Sequence, residues 1–556
     1  MRNCALTIVI LMLNLGEVAA QRGATGDQIA VLDVAFLCAP RASPDWKPWI
    51  GSTRWSRLED WDLRGQARWD VESLASLITG TLFPGDWGGV GSGLDMHIGE
   101  VRLVLRSPDA LLVGEIETFL DSLRREQTFV MIELTLRPAA GLAPIGRLRV
   151  NARLGEAFWA EISTESGRVP DESVGAGRGV VATDPEVAMV STGVLVLGVP
   201  VMTTDGLALR DLRVQAVADG GMREQSSSDG QKQLSTLHES TFVGAIERLS
   251  DEETLIQLGG PGGGLLGVKV ERIPSPTEPV APPLGLLEPH VELVAPDLLI
   301  ADLKGLCEPP ARAPVPPFAI QPSRMPWASA EDDLLEMGWL EPPLMDEDEL
   351  LSDWLMSNGR EEDWFAEGAE AEVMDGRLIV RNRPDICLAV RESLLALAAA
   401  APAPFRLHWQ IERGATGEPL VQVAGGDLTL ASGQRGVASV HTWIEHVQDY
   451  DAEFGEDMIA IDGIVGSFPV GSTLIVTAAA LGDLGLAVDV FFESTARTGA
   501  SFREREVEGH GVIELIDSRR ALVWTSAHLN WNEPTVIAEL GDALDRTVFT
   551  VTAWRP

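Results

Sequence analysis

Two stretches, EVRLVLRSPD from Glu100 to Asp109 and DGRLIVRNRPD from Asp375 to Asp385, follow nearly the same pattern of residues. Each places apolar residues between two arginines, ends in Pro-Asp and leads into a segment with apolar residues at helical spacing. Self-similarity between distant segments is the signature of an internal repeat. The sequence therefore predicts a chain built from two tandem copies.

Upstream of these stretches, each copy begins with a short apolar strand. The first copy starts near Asp27 with AVLDVAFLCAPRASP, and the second starts near Val291 with LLIADLKGLCEPPARAP. A proline-rich loop and then a predicted helix follow in both copies. The helices are defined by apolar residues at spacings of three and four: Val71, Leu74, Leu77 and Ile78 in the first copy, and Leu351, Trp354 and Leu355 in the second.

A second amphipathic helix closes each module. Its apolar stripe is formed by Ile116, Phe119, Leu120 and Leu123 in the first copy and by Ile386, Val390, Leu394 and Leu397 in the second. Two short strands precede this helix in each copy. Each module is therefore predicted to run strand, helix, strand, strand, helix.

After each module the apolar period changes from helical to two, which predicts β-strands. FRLHWQIER alternates apolar and polar residues from Phe405 onward, and FVMIELTLRP occupies the matching place in the first copy. The matching continues through segments that begin at Gly193 and Gly471, and through segments that begin at Val243 and Gly511. Each copy is thus predicted to contain a second, largely antiparallel β unit.

The predicted fold class is α+β, with two tandem copies of a βαββα module, each followed by a mainly antiparallel β unit. The proline-rich stretch from Glu271 to Pro289 separates the copies and is the best domain boundary. A stretch rich in glycine and serine, Gly220 to Gln233, is predicted to be a long hairpin loop. The predicted domains are a signal peptide (1–20), module 1 with an inserted loop (27–127), β unit 1 (128–272), a linker (273–290), module 2 with an inserted loop (291–402) and β unit 2 (403–556).

The beginning of the chain has the layout of a cleaved secretory signal. Arg2 supplies one positive charge, an apolar run extends from Ala5 to Leu15, and the small residues Ala19 and Ala20 follow. No later segment reaches the roughly 20 consecutive apolar residues that a membrane helix needs. We therefore expect an exported protein that is periplasmic, outer-membrane-associated or extracellular, without a transmembrane helix.

Charge narrows the classes of partner. The chain has 83 acidic and 43 basic residues and a formal net charge of −40. This balance argues against binding to nucleic acid and against docking on an anionic lipid surface, because both require a cationic face. The acidic surface is expected to be solvated and self-repelling, which keeps an exported protein soluble.

Removal of the signal would leave three cysteines, Cys38, Cys307 and Cys387. Cys38 and Cys307 occupy matching positions, so a disulfide between them would require the two copies to face each other there. Buried free thiols are the alternative. No CxxC motif or Cys/His cluster has the spacing of a zinc site.

Several residues invite a chemical role, but the sequence favours a structural explanation for each. The Asp-Trp pairs, Asp86-Trp87 and Asp363-Trp364, could stack on sugars, yet each indole is expected to cover the end of its module's helix. GGPGGG, which begins at Gly259, lacks the Lys and Ser/Thr of a phosphate loop and is predicted to be a turn.

His441 and His446 are five residues apart, rather than the four that places two ligands on one face of a helix. The acidic run after them lacks the glycine and the glutamate that a calcium loop needs at Phe454 and Ala460. No GxSxG motif occurs. We therefore predict no catalytic, cofactor-binding or metal-binding residues and no cofactor.

The modules resemble the small periplasmic N-domains of secretins, the outer-membrane secretion channels, and the related short N-terminal secretin/TonB domain. The resemblance is carried by the order of elements and by GRLIVRNRPD at Gly376 to Asp385, followed by VRESLLAL at Val390 to Leu397. TDGLALRDLRV from Thr204 and DEETLIQLGG from Asp251 are similar to the paired strands of a secretin core. A secretin has one pore-forming domain, whereas this chain alternates module and β unit twice, so the resemblance implies an assembly protein better than a channel.

The resemblance and the predicted export indicate a non-enzymatic protein that acts through protein contacts, with partners or with itself, in a cell-envelope or secretion-type assembly. A first alternative is a surface protein that binds glycans or other ligands. It would use the tryptophan-rich loops after Cys38 and Cys307, which contain Trp46, Trp49, Trp55, Trp61, Trp327 and Trp339. A second alternative is a hydrolase with an unrecognised pair of carboxylates, which convergent acids in a deep cleft would favour.

Overall fold

The structure of the 556-residue chain is a computed structural model. It describes residues 21 to 555 apart from these stretches: 23–27, 39–69, 83–86, 88–94, 99–100, 108–109, 126, 138–145, 178–179, 204–205, 228–229, 247–248, 250–252, 259–263, 274–290, 303–363, 367, 375–376, 401–403, 416, 455–458, 500–501, 508–510 and 543–544. The predicted signal peptide and most of the linker and inserted loops therefore lie outside the described residues.

The first part of the chain forms small sheet 1, an antiparallel sheet with the strand order β1-β2-β4-β3, and its helices. The elements are β1 (Gln21–Arg22), β2 (Gln28–Asp33), α1 (Ala35–Cys38), α2 (Val71–Thr81), β3 (Asp95–Ile98), β4 (Arg102–Ser107) and α3 (Ala110–Arg125). Helix α2 begins after Asp70, whose side chain accepts a hydrogen bond from the backbone N–H of Ser73 at 3.1 Å. The core of this unit is fully buried and includes Leu74, Ile78, Leu103, Leu105, Ile116 and Leu120.

Residues 129 to 272, called the first half below, form long antiparallel strands. They are β5 (Phe129–Arg137), β6 (Gly146–Arg153), β7 (Phe158–Gly177), β8 (Val180–Thr203), β9 (Gly206–Ser227), β10 (Gly230–Ile246), β11 (Thr254–Leu258) and β12 (Gly264–Arg272). The stretch from Gly220 to Gln233 is a hairpin, as predicted, but not a long loop, because Ser227 of β9 already pairs with Gly230 of β10. Pairing across the hairpin satisfies backbone groups that a loop would leave to water.

Small sheet 2 follows, with the strand order β13-β14-β16-β15. Its elements are β13 (Val291–Ala295), β14 (Leu298–Asp302), β15 (Glu370–Met374), β16 (Arg377–Arg381) and α4 (Pro384–Ala400). Its core is fully buried and includes Leu299, Leu378, Val380, Val390, Leu394 and Leu397. The helix predicted around Leu351 lies outside the described residues.

Residues 405 to 554, the second half, are again strands. They are β17 (Phe405–Ala415), β18 (Val421–Leu430), β19 (Arg435–Phe454), β20 (Ile459–Ala480), β21 (Leu486–Arg497), β22 (Arg503–Val507), β23 (Gly511–Leu515), β24 (Asp517–Leu529), β25 (Pro534–Asp542) and β26 (Asp545–Trp554). A short 3-10 helix, Gly482–Leu484, lies between β20 and β21. In β17, the side chains of Phe405, Leu407, Trp409 and Ile411 are buried, as the period of two predicts.

The two halves share two eight-stranded antiparallel sheets. Large sheet 1 has the order β10-β9-β8-β7-β24-β21-β20-β19, and large sheet 2 has the order β11-β12-β5-β6-β25-β26-β17-β18. The sheets pack face to face around two apolar clusters, one for each half. The strands β22 and β23 pair only with each other among the described residues.

The predicted fold class is therefore wrong. The fold is mainly β, with several antiparallel sheets, and is not an α+β repeat of βαββα copies that each own a separate β unit. The physical reason lies in the strand edges, because a separate β unit in each copy would have left the inner edges of β6 and β7 unpaired. Pairing with β25 and β24 satisfies those backbone groups and joins the halves.

Among the described residues, no helix combines the length and the apolar character that crossing a membrane requires.

Candidate interaction site

The two halves are joined by strand pairing in both large sheets, and this junction is the first part of the site. In large sheet 1, β7 pairs with β24 from Trp159 opposite Trp524 to Ser166 opposite Asp517. In large sheet 2, β6 pairs with β25, with Val150 opposite Ala538. The sequence places these partners far apart, so no local pattern could reveal the pairing.

Large aromatic side chains bury one face of this junction. Trp159 and Trp524 pack edge to face with ring centroids 5.9 Å apart, and Phe491 lies 6.4 Å from Trp159. This face of large sheet 1 points away from large sheet 2. It is nevertheless buried, because the sheet curls and brings Leu237 of β10 and Val437 of β19 against the aromatic cluster.

A buried charge cluster lies next to these aromatic rings. The Nε of Arg520 is 2.7 Å from Oε1 of Glu493, and the hydroxyl of Ser163 donates to Oε1 of Glu161 at 2.6 Å. Burial alone would lower the pKa of Arg520, but the carboxylates of Glu493, Glu161 and Glu165 raise it above its usual range. A cation shared by several buried carboxylates therefore fixes the place where the two halves meet.

The second part of the site is formed by the strands at the ends of the large sheets. At one end, called the leading end, the sheets finish in β10 and β11; at the other, the trailing end, they finish in β18 and β19. Both ends carry exposed apolar side chains, and these are Val243 and Leu255 at the leading end and Val421, Val423, Val440 and Trp443 at the trailing end. Such edges offer backbone groups and apolar surface to another strand.

The two halves contribute their strands to each large sheet in the same order. In large sheet 1, β9 and β8 precede β7 just as β21 and β20 precede β19. Gly193 of β8 lies opposite Ser163 of β7, and Gly471 of β20 lies opposite His441 of β19. At both glycines an added Cβ would overlap a carbonyl oxygen of the neighbouring strand, that of Ile162 or of Val440.

One stretch of the predicted matching does not fit this order. The segments from Val243 and from Gly511 were predicted to correspond, but β11 lies in large sheet 2, whereas β24 lies in large sheet 1. By position in the sheets, β10 corresponds to β24 instead. The second half has an extra hairpin, β22 and β23, before β24. A comparison by order along the chain therefore matches the wrong strands from that point on.

The small sheets differ in how their faces are covered. Val31 pairs with Val104 in small sheet 1, and both pack on α4 of small sheet 2. As a result, every residue of β4 is buried, including Arg102 at its start and Arg106 near its end. Strand β4 is therefore covered on both faces, by its own helices on one side and by α4 on the other.

Small sheet 2 has a different environment at the matching positions. Ile300 pairs with Ile379, and these two residues occupy the places of Val31 and Val104. Strand β16 alternates between exposed or half-buried residues and buried ones, with Arg377 and Arg381 exposed. Within the part of the chain that the structure describes, this face of small sheet 2 therefore has no helix packed against it.

Small sheet 1 also contacts the second half. Ala479, near the end of β20, and Leu481, just after it, are buried in the core of small sheet 1. A guanidinium N–H of Arg102 donates to the carbonyl oxygen of Ser432 at 3.5 Å. The corresponding turn in the first half, between β8 and β9, leaves Met202 49% exposed.

The tryptophans of the Asp-Trp pairs have structural positions. The indole N–H of Trp87 donates to the carbonyl oxygen of Leu82, just after helix α2, at 2.8 Å, and the ring packs on the core of small sheet 1. Trp364 packs on the core of small sheet 2. The expectation that Trp87 covers the end of its helix is thus met, while the loop tryptophans of the ligand-binding alternative lie outside the described residues.

His441 and His446 lie at different points of β19 and have different neighbours. His441 lies 3.4 Å from the hydroxyl of Thr473, whereas His446 stacks on Phe502 with ring centroids 6.0 Å apart. Burial lowers the pKa of both imidazoles. The acidic run begins in β19 and continues into residues 455–458, which lie outside the described residues. The predicted glycine turn separates the paired residues Leu258 and Gly264, which agrees with a hairpin.

Cys38 and Cys387 are buried free thiols. Burial, together with the nearby carboxylates of Asp70 and Asp33, raises the pKa of Cys38 to about 12. Such a thiol is a poor nucleophile at neutral pH. Cys307 lies outside the described residues.

Carboxylates do converge on one cavity, but with cationic partners. It has a volume of about 270 Å³ and is lined by residues that include Asp219 and Asp542. Asp219 lies 2.8 Å from Arg168, and Asp542 lies 2.7 Å from Arg519. In the described ranges, no group of three or more His, Cys, Asp or Glu side chains is arranged to hold a metal ion.

No protein-family model matches the chain, and no curated protein matches it. Solved structures with a faint likeness are secretins. The secretin domain of InvG from the Salmonella SPI-1 injectisome shares 10% identity and a TM-score of 0.21 over 34% of this chain and 73% of that one. A second InvG structure shares 12% identity and a TM-score of 0.18, covering 46% of this chain and 89% of that one. PilQ, the type IV competence pilus secretin of V. cholerae, shares 10% identity and a TM-score of 0.17, covering 87% of this chain and 74% of that one. TM-scores this low do not establish a common fold or function.

Sequence reasoning missed the junction and the open ends. One signal was present, because Glu161, Glu165 and Arg520 interrupt segments that otherwise have the apolar pattern of buried strands. Charged residues inside such strands require partners of opposite charge. They could have indicated that β7 and β24 lie side by side.

Proposed function

We propose that the chain is an exported, non-enzymatic protein that acts through protein contacts in a cell-envelope or secretion-type assembly. The observation that carries the proposal is the pair of open ends. Both large sheets end in strands with exposed apolar side chains, such as Val243 at the leading end and Val421 at the trailing end.

Strand edges of this kind bind other strands. The backbone N–H and C=O groups of an edge strand supply the affinity, and side chains on alternate residues supply the specificity. Monomeric proteins usually protect their edges with charges, prolines or short strands. Here β10 and β19 are among the long strands of the fold, and Val440 is 50% exposed on β19. Protein contacts at the ends of the sheets follow from this arrangement.

The compartment in the proposal rests on the sequence. The first twenty residues have the layout of a secretory signal, and the modules resemble secretin N-domains in their motifs. The acidic surface is compatible with export and with protein partners, but not with nucleic acid. The proposed role is that of a structural component rather than an enzyme.

The test is the native mass of the purified mature chain, together with cross-linking inside the cells that export it. Lysine substitutions at Val421 and Val423 place charges on the edge strand β18 and are expected to reduce complex formation at least tenfold, a factor that corresponds to about 1.4 kcal/mol. The matched control is Leu388→Lys, because Leu388 is an exposed apolar residue (44%) on helix α4 and not on a strand edge. A strictly monomeric particle that forms no cross-links in the envelope would refute the proposal.

A further inference from the structure

We infer that the partner at the open ends is a second copy of this chain, joined head to tail. The trailing end of one copy, β18 and β19, would pair with the leading end of the next copy, β11 and β10. This inference rests on the proposed function, which it deepens by naming the partner. The strand pairing between the two halves of one chain is the model for the pairing between copies.

The pairing at the junction is directional. At the junction, β7 of the first half pairs with β24 of the second, and β6 pairs with β25. By position in the sheets, β19 and β18 of the second half correspond to β7 and β6. Strands β10 and β11 of the first half correspond to β24 and β25. The trailing end of one copy therefore finishes in the strands that correspond to β7 and β6 at the junction. The leading end finishes in the strands that correspond to their partners, β24 and β25.

The glycines fix the register of this pairing. Gly193 aligns Ser163 of β7 with Val217 of β9, and Gly471 aligns His441 of β19 with Thr495 of β21. Counting from these positions, Val437 corresponds to Trp159 and Val243 corresponds to Trp524. Because Trp159 lies opposite Trp524 at the junction, Val437 of one copy should lie opposite Val243 of the next.

Helix α4 supplies a second, independent argument. It covers the face of small sheet 1 that contains Val31 and Val104. The corresponding face of small sheet 2, with Ile300 and Ile379, lacks such a cover among the described residues. The helix of the first half that corresponds to α4 is α3, on which Leu111 is 70% exposed. Helix α3 of the next copy is the occupant that fits this face.

The large sheets and the small sheets indicate the same neighbour. In the large sheets, the second half adds to the β6 and β7 side of the first half, and in the small sheets, α4 of the later part covers the earlier sheet. A copy that pairs its β10 with β19 would therefore also bring its α3 to small sheet 2. It would also present its turn at Met202 to small sheet 2, as the turn at Ala479 meets small sheet 1.

In a single copy, β10 lies over β7 and β19 lies over β8, although neither pair forms backbone hydrogen bonds. These contacts cover the aromatic face around Trp159 when no neighbour is present. Pairing between copies would replace the contacts of Leu237 and Val437 with contacts to the neighbouring sheet. In a lone copy, the curl of large sheet 1 thus covers this aromatic face.

The test mixes two mature chains, which lack Cys4, in which Cys307 is replaced by serine and each chain carries one new cysteine and a different tag. One chain has Val243→Cys and the other has Val437→Cys. Opposed residues in antiparallel strands have Cα atoms about 4.5–5.5 Å apart, which suits a disulfide. We expect mild oxidation to produce a covalent dimer that contains both tags. The buried thiols of Cys38 and Cys387 should not react.

The matched control replaces Val437→Cys with Ser439→Cys, which moves the thiol two residues along the same strand. The diagonal distance of about 7–8 Å should reduce cross-linking severalfold. Equal cross-linking at both positions would refute the stated register, and a dimer of Val243→Cys with itself would refute the head-to-tail order.

A second variant, Ile379→Asp, tests the small-sheet contact without touching the strand edges. It should lower the fraction of assembled copies at least tenfold, while Leu388→Asp, at a 44% exposed position of α4, should not. If the chain forms no dimer but cross-links through Val421 to a different envelope protein, this inference fails and the proposed function stands. If it forms neither complex, both fail.

Discussion

Gly193 of β8 and Gly471 of β20 make the same close approach to a neighbouring strand, one to Ile162 and the other to Val440. In both places an added Cβ would overlap a backbone carbonyl oxygen, which cannot move without breaking the sheet pairing. The two hairpins therefore share a constraint that neither local polarity nor strand propensity imposes. This shared close approach is a clear structural correspondence between the two halves.

Gly193→Ala and Gly471→Ala should each destabilise the chain by about 2–4 kcal/mol, because each adds a methyl group where backbone atoms already lie. The measurement is urea unfolding followed by tryptophan fluorescence. Gly114→Ala is the control, since a Cβ on Gly114 of helix α3 meets nothing within 4 Å. That change should instead stabilise the protein by up to about 1 kcal/mol, the helix propensity difference between the residues.

Val104 and Ile379 should respond differently to truncation in a dilute, monomeric sample. Val104 is 1% exposed, between small sheet 1 and helix α4, so Val104→Ala should cost about 2 kcal/mol. Ile379 is only half-buried, and Ile379→Ala should cost about 1 kcal/mol or less. Thermal unfolding at several protein concentrations checks both values. The Ile379 penalty should grow with concentration if a neighbour covers that face, and a constant penalty would speak against a cover.

Arg520→Leu should lower the free energy of unfolding by about 3–5 kcal/mol, because it leaves Glu161, Glu165 and Glu493 without the cation that they share. Chemical unfolding at neutral pH measures the loss. The control is Arg406→Leu at the exposed pair of Arg406 and Asp427, whose removal should change stability little. Equal effects of the two changes would show that the buried cluster is not needed at the junction.

Glu117 on helix α3 should make stability depend on pH. Burial, and then the charge of Asp121, raise the pKa of its carboxyl group from the ordinary value of 4.5 to about 7. The folded state therefore binds this proton more tightly than the unfolded state. The stability that Glu117 contributes is fully present below about pH 4.5 and is lost as the pH rises through about 7.

Glu117→Gln should remove this pH dependence and raise stability at pH 8 by on the order of 1–3 kcal/mol. Unfolding curves between pH 4.5 and 8 measure it against Glu115→Gln, which alters an exposed residue of the same helix. A wild-type curve that is flat over this range would contradict the shift of the Glu117 pKa.

Assembly should strengthen with added salt. Each chain has a formal net charge of −40, so copies repel each other at low ionic strength. At 0.15 M salt the screening length is about 8 Å, which weakens repulsion between surfaces but not contacts between apolar strands. Native mass measurements over a salt series should show the assembled fraction rising. A fraction that falls with salt would mean that ion pairs, rather than strand edges, hold the copies together.

Local structure was predictable where side chains alternate or recur with a clear period. Phe405 and Trp409 mark β17, and Val390 and Leu394 mark α4, because in both elements burial of one face decides the pattern. The long strands β9 and β10 were harder to predict because they continue through Gly220 and Gln233, where the residues favour turns. There, pairing along the hairpin overrides local preference.

The partners of strands were beyond the sequence. Nothing in GRLRVNAR of β6 specifies PTVIAELGD of β25 as a neighbour, because backbone pairing leaves no side-chain signature of its own. The predicted fold class was wrong for this reason, since it assigned each β unit to its own copy. Within the candidate site, only the charges of Glu161 and Arg520 hinted at the junction.

Because the two halves lie side by side in each large sheet, they also restrict the number of strands that a closed complex can contain. Each chain contributes two sets of four strands to each large sheet, one set from each half. A complex closed by head-to-tail pairing therefore contains an even number of sets, whatever the number of chains. A protein that carries one set per chain has no such parity. An odd number of sets around a closed complex would thus show that the chain shares it with a single-set relative.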